Sequence, residues 1–259
     1  MATSSQPNAP AMRLSTAVVL PAYNEEGNLT PLITELVAVA GQATIPLRII
    51  VVDDGSSDGT ADELSALAVT VPALSVIRHA ANAGLAAALK TGINAARQSD
   101  CEAVVFMDSD LSHDPADIPR LIDALAAGAD VALGSRFVPG GGMVGVPLWR
   151  TSISQAGNSF GRRLLRLPFR DLTTGYRAMR RGVLDGIVLG EDGFTIQLES
   201  VIKAYAAGFR VVEVPIMLGT RLHGTSHMNY NPQLFRDYYR LLQSCRRWVG
   251  ERQPGRRGQ

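Results

Sequence analysis

The sequence predicts an α/β fold, a Rossmann-like, mostly parallel sheet with helices on both faces. Short apolar runs alternate along the chain with segments of helical periodicity. The apolar runs are near-continuous and not alternating, as strands buried on both faces require. Several of them end in acidic or polar clusters, and ligands of such sheets sit beyond the carboxyl ends of the strands.

Taken in order, Ala17–Leu20 reads as a buried strand stopped by Pro21. Residues 28–40 carry apolar side chains at helical spacing, with Asn28 as the N-cap. Arg48–Val52 is a second strand ending in Asp53-Asp54-Gly55-Ser56, and Asp58 or Thr60 caps a helix running to about Ala68. Leu74–Ile77 is a short third strand, followed by a helix over 84–96. Ala103–Met107 is a fourth strand, 117–127 a helix and Val131–Gly134 a fifth strand. Beyond Gly134 the pattern loosens into Gly140-Gly141-Gly142, a basic helix around 154–167, a helix over 195–207 and a late strand at 210–214. A last helix over 231–249 aligns Leu234, Tyr238, Leu241, Leu242 and Cys245 on one stripe and Arg236, Arg240 and Arg247 on another. The apolar stripe suits either a membrane surface or packing against the domain.

With 259 residues, 46% hydrophobic and 19% charged, the chain is long enough for a sizeable core. Residues 1–14 lack an apolar core and read as a disordered tail, not a signal peptide. Residues 251–259 read as a loose basic tail, leaving 15–250 as one domain. The net charge of +1 gives no bias toward nucleic acid. Residues 1–135 carry 16 acids and 6 bases, whereas residues 136–181 carry 1 acid and 9 arginines. That arginine-dense stretch suits an anionic ligand or a solvated basic face. Cys101 and Cys245 stand far apart without a His/Cys cluster, which fits a reducing cytoplasm better than a disulfide framework or zinc site. No uninterrupted apolar run reaches the roughly 18 residues of a membrane span.

Chemistry concentrates at three strand ends. Pro21-Ala22-Tyr23-Asn24-Glu25 leaves Tyr23 and Glu25 able to face a planar base, and equally suits a turn with a solvated acidic helix start. Asp53 and Asp54 suit a base N–H or ribose hydroxyl, or a plain capped turn. Asp108-Ser109-Asp110 places two carboxylates where Mg²⁺ or Mn²⁺ could be held against a diphosphate, since such cations take one or two carboxylates plus phosphate oxygens. A helix cap before Pro115 is the other reading.

Together, PAYNE at Pro21–Glu25, VVDDGSSDGT at Val51–Thr60, NAGLAAALKTG at Asn82–Gly92 and MDSDLSHDP at Met107–Pro115 resemble the inverting family 2 glycosyltransferases. GSRF at Gly134–Phe137, the glycines 140–142, TTGYRAMRR at Thr173–Arg181 and EVPI at Glu213–Ile216 narrow the resemblance to polyprenyl- or dolichyl-phosphate mannose synthases. The resemblance implies the A-type glycosyltransferase fold. It implies that Pro21, Tyr23, Glu25, Val52 and Asp53 or Asp54 hold the nucleotide, with Ser109 beside them. Asp108, Asp110 and Ser112 then correspond to metal ligands, and Arg136 faces the phosphates. Arg150 meets the acceptor phosphate. Thr220–His227, with Arg221, resembles a segment closing over the donor diphosphate, although His227 stands where the family usually has Lys. A neutral His would withdraw a fixed charge there.

The implied reaction is inverting transfer of a sugar, with GDP-mannose favoured as donor, onto a polyprenyl phosphate at a peripheral membrane contact. Related chains use UDP-glucose or UDP-linked amino sugars, and His227 also suits a non-catalytic nucleotide-sugar binder. Arg162, Arg163, Arg166 and Arg170 suit lipid head groups or a solvated helix face. A haloacid-dehalogenase-like phosphatase would use Asp108 as nucleophile but wants Thr or Val at Ser112 and leaves Pro21–Glu25 without a role. A calcium loop counted from Asp108 has His113 where Gly is needed and Pro119 where Glu is needed. The G-x-G-x-x-G turn of a dinucleotide site is absent after the first strand.

Overall fold

The computed structural model describes residues 13–221 and 232–250. The elements are β1 (Thr16–Ala22), α1 (Leu29–Ala43), β2 (Leu47–Asp53), α2 (Thr60–Thr70), β3 (Leu74–Arg78), α3 (Leu85–Arg97), β4 (Ala103–Phe106) and, after one 3₁₀ turn at Pro115–Asp117, α4 (Ile118–Ala126). They continue with β5 (Val131–Ser135), β6 (Gly142–Met143), α5 (Leu148–Leu165), β7 (Arg177–Arg180), α6 (Arg181–Gly186), α7 (Thr195–Ala206), β8 (Val211–Pro215), β9 (Met217–Leu218) and α8 (Pro232–Gly250).

Seven strands form one sheet in the order β3-β2-β1-β4-β7-β5-β8. All neighbours pair in parallel except β7, which runs antiparallel to both β4 and β5. The chain leaves β1 for β2 and β3 on one side and returns to β4 on the other, so the switch point of the sheet lies between β1 and β4. Val18, Leu20, Ile49 and Val105 face a layer built on α1, α2 and α4. Val19, Ile50, Val104 and Phe106 face a layer built on α3, α7 and α8. Both faces are therefore dry, which is why the strands are apolar throughout.

Pro21 does not stop β1. The strand continues to Ala22, pairing Pro21 with Val52, but β4 has already ended at Phe106 opposite Val19. On that side β1 is an edge, where a missing N–H loses no ladder bond. The exposed Pro21 carbonyl instead accepts the Ser109 hydroxyl at 2.9 Å. The basic helix begins at Leu148, earlier than its Ser- and Gly-rich first turns suggest. The short strand β7 escapes sequence reasoning because arginines occupy both of its ends.

Among the described side chains the apolar stripe of α8 is not exposed; the side chain of Leu234 lies outside them. Leu241, Leu242 and Cys245 are fully buried in the core, Tyr238 donates to the Gly157 carbonyl at 3.2 Å, and the Lys203 ammonium lies 4.5 Å over the Trp248 ring. Arg236, Arg240 and Arg247 form its exposed face, so of the two readings of this helix, packing against the domain holds.

α3 approaches β1 closely enough that a Cβ added at Gly92 would lie 2.3 Å from Val19 Cγ1. Alanine in a helix gains up to about 1 kcal/mol over glycine, whereas overpacking a rigid branched neighbour costs about 1–3 kcal/mol. Gly92→Ala is expected to lower unfolding free energy in urea titrations, and Val19→Ala in the same chain to recover part of the loss.

Candidate active site

The first strand end is held by its neighbour. Asn24, in the left-handed region at φ 54°, donates its amide to Ser56 Oγ at 3.0 Å and accepts the Ser57 amide on its side chain at 2.9 Å. The Glu25 amide donates to Thr60 Oγ1 at 2.8 Å. The segment Ser56–Thr60 thus fixes Tyr23 and Glu25 over the sheet edge. Asn28 does not cap α1 with its side chain; its carboxamide donates to Glu25 Oε2 at 2.7 Å.

Glu25 is buried, and burial pushes its carboxyl up to about 7. Asn28 and Arg221 oppose that rise, while Asp110 and Asp108 add to it. A folded value above the ordinary 4.5 means the protonated form is favoured by folding. This stabilisation is complete below pH 4.5 and is lost as pH rises through about 7. Metal-free Glu25→Gln is therefore expected to match the parent near pH 4.5 and to exceed it at pH 8 by on the order of 1–3 kcal/mol in denaturant titrations.

The second strand end serves the frame more than the cleft. Asp53 accepts the Ser56 amide at 2.9 Å and pairs with Arg78 Nε at 3.1 Å. Asp54 accepts the amides of Ala83 and Gly84 at 3.0 and 2.7 Å and meets His79 Nδ1 at 2.6 Å. Asp54 does reach the cleft, but Val52 and Asp53 lie beneath its floor and are absent from the lining. Of the residues expected beside the nucleotide, Asp54 therefore lines the cavity, while Val52 and Asp53 are buried within the paired part of β2.

The third strand end forms the cleft floor. After β4 the chain turns sharply through Asp108–Leu111, with Leu111 at φ 63°. The Asp108 amide donates to His113 Nδ1 at 3.0 Å, so this ring nitrogen acts as acceptor. His113 stacks on Tyr176 at 4.8 Å. Asp110 Oδ1 accepts both the amide and the hydroxyl of Ser112, at 3.0 and 2.6 Å. Arg221 pairs with Asp110 Oδ2 at 2.9 Å and with Glu25 Oε1 at 3.5 Å. Burial pushes the Asp108 carboxyl up, and the neighbouring Asp110 carboxylate adds to the rise. Concentrated, partly uncompensated negative charge of this kind suits a divalent cation. Among the described residues no three His, Cys, Asp or Glu side chains form a complete metal cage. Two carboxylates completed by substrate oxygens need none.

Guanidinium groups face this floor. Arg136, at the end of β5, is clamped by Asp171: Nε and Nη2 each donate to the carboxylate at 2.7 Å, and Nη2 also reaches Thr173 Oγ1 at 3.0 Å. Asp171 is fully buried, and its amide donates to Glu213. Arg150 of α5 stacks on Trp149 at 5.3 Å and lines the same cleft. Of the other arginines grouped with it, Arg162, Arg163 and Arg166 are exposed and outside the lining, and Arg170 donates to the Phe137 carbonyl at 3.4 Å.

One cavity of about 800 Å³ gathers Pro21, Tyr23, Glu25, Asp54, Asp108, Ser109, Asp110, Ser112, Arg136, Arg150 and Arg221. His227 lies outside the described residues. Sequence reasoning missed Asp171, His113 and Gln197, the last lining the cavity from α7. Asp171 and His113 stand inside or beside quoted motifs, yet a charge clamp and an amide acceptor leave no periodic signal.

Residues 17–188 match Glycosyl transferase family 2. The chain is 41% identical over 218 residues to the polyprenol monophosphomannose synthase of Mycolicibacterium smegmatis, covering 83% of this chain and 81% of that one. It is 35% identical over 245 residues to a dolichol-phosphate mannosyltransferase of Pyrococcus furiosus, covering 92% of this chain and 65% of the other. An undecaprenyl-phosphate mannosyltransferase of Micrococcus luteus is 36% identical over 221 residues, with 84% and 88% covered. Among solved structures, glucosyl-3-phosphoglycerate synthase of Mycobacterium tuberculosis in complex with Mn²⁺ and UDP-glucose aligns with a TM-score of 0.65 at 22% identity, covering 94% of this chain and 81% of that one. That likeness bears out the A-type glycosyltransferase fold and the parallel sheet expected from sequence. The chain belongs to glycosyl transferase family 2.

Proposed function

We propose that this glycosyltransferase moves mannose from GDP-mannose to a polyprenyl phosphate, with inversion, using Mg²⁺ or Mn²⁺. The observation that carries this reading is the single cavity in which Glu25, Asp108 and Asp110 face Arg136 and Arg150. Mannosyl transfer to polyprenyl phosphates by relatives at 35–41% identity supports it.

Pro21, Tyr23 and Asp54 would border the nucleotide, Asp108 and Asp110 would hold the cation, with Ser109 and Ser112 shaping their turn, and Arg150 would receive the acceptor phosphate. When bound, the cation neutralises charge developing on the departing diphosphate. Arg136, held rigid by Asp171, adds fixed positive charge at the same place, which needs no reorganisation during reaction. The acceptor phosphate is already an anion and attacks the anomeric carbon directly. Positioning and water exclusion then matter more than a general base. A single displacement converts an α-linked donor sugar into a β-linked lipid phosphate sugar.

Among the described residues no helix is long and apolar enough to cross a membrane. Leu148 and Trp149, 84% and 53% exposed beside Arg150, give the acceptor rim the apolar and aromatic character of a peripheral membrane contact, on the cytoplasmic face in this reading. Thermal unfolding with GDP or UDP, each with and without Mn²⁺, tests the assignment, followed by transfer assays with polyprenyl phosphate. A rise in Tm with GDP that requires Mn²⁺ is expected. A larger rise with UDP overturns the donor, and stabilisation without any transfer leaves a nucleotide-sugar binder.

A further inference from the structure

Both oxygens of Asp110 are already engaged within the protein. Oδ1 accepts two hydrogen bonds from Ser112, and Oδ2 meets Arg221 Nη2 at 2.9 Å. The guanidinium also reaches Glu25 at 3.5 Å, so it sits between two of the cleft carboxylates. This placement is built into the fold. The Gly219 amide donates to the Ser112 carbonyl at 2.8 Å, tethering the segment that carries Arg221 to the Asp108–Ser112 turn. A Cβ at Gly145 would lie 2.6 Å from Thr220 Cγ2, so the segment is also packed from the side of β6.

We infer that Arg221 is an internal counter-ion that competes with the divalent cation for Asp110, so that metal binds weakly until a nucleotide diphosphate draws the guanidinium away. The inference rests on the metal-dependent reading above. Two cations cannot share Oδ2 without strong mutual repulsion, whereas a diphosphate offers the guanidinium a bidentate partner of higher charge. Metal and diphosphate then strengthen each other's binding by the same factor, as linkage demands. Arg221 thereby sets the order of assembly as well as contributing charge to the assembled site.

The test is Mn²⁺ affinity of the full chain by electron paramagnetic resonance titration, without nucleotide and with saturating GDP. Arg221→Gln is expected to bind Mn²⁺ alone about tenfold tighter than the parent, a change of ~1.4 kcal/mol, and to lose most of the tightening that GDP confers. Arg221→Lys keeps the charge and is expected to stay near the parent without nucleotide. Equal or weaker Mn²⁺ binding by folded Arg221→Gln overturns the inference. If that variant fails to fold, unchanged Mn²⁺ affinity of the parent with and without GDP overturns it independently. Asp110→Asn separates the two readings: Mn²⁺ binding that survives this change sinks the metal assignment itself, whereas its loss alongside an indifferent Arg221→Gln sinks only the competition.

Discussion

Asp110→Asn is expected to lower turnover by on the order of 10²-fold or more. The change exchanges a carboxylate for an amide of nearly the same shape. The amide oxygen still accepts the Ser112 hydrogen bonds that hold Oδ1 today, so the turn is expected to survive. What disappears is the negative charge that would hold the cation and that now pairs with Arg221. The loss should appear in kcat at saturating Mn²⁺ and in Mn²⁺ affinity, with unfolding free energy changed by less than about 1 kcal/mol. Near-normal turnover would remove Asp110 from the machinery.

The second large effect is expected at a residue that touches no substrate in this reading. Asp171→Ala removes the buried partner of Arg136 and leaves a guanidinium with only 12% side-chain exposure beside an empty pocket. Breaking a buried pair in this way costs roughly 3–5 kcal/mol. Unfolding free energy in urea should fall by about that amount, and turnover by on the order of 10²-fold, because Arg136 no longer has a fixed direction. Arg136→Met together with Asp171→Ala removes both charges. That pair is expected to recover much of the stability and none of the activity, which separates the clamp's structural role from its catalytic one.

The parallel half of the sheet was legible because burial on both faces makes its strands uniformly apolar, and Val18–Leu20 or Val104–Phe106 leave no alternative period. Boundaries followed less well where proline sits on a half-paired strand, as at Pro21. β7 was invisible for a different reason. Arg177 is buried with its guanidinium 4.7 Å over the Phe106 ring, an arrangement that depends on tertiary packing and that no propensity scale anticipates. At the site, clusters of residue types were easier to find than their duties. The paired acids at 53–54 and 108–110 look alike in sequence. Only the fold reveals that Asp53 and Asp54 mostly brace loops, with Ser56, Arg78, Ala83 and Gly84 as partners, while Asp108 and Asp110 both line the cleft, Asp110 beside Ser112 and Arg221. Arg136 was expected to point at phosphates; that it is first clasped by Asp171 follows from a contact 35 residues away.

The reversed direction of β7 has a consequence for how such an enzyme changes its tastes. Because this strand runs against its neighbours, its entrance and not its exit opens on the cleft, and Thr173–Gly175 arrive there from α5 and not from the parallel βα loops. Much of the lining therefore comes from separate stretches of polypeptide, the turns after β1 and β4 on one hand and the lead-in to β7 and the start of α7 on the other, with residues around Pro147 and Thr220 completing it. Under the proposed function, mutational drift in the second stretch retunes the incoming molecule while the first keeps its grip on the activated sugar.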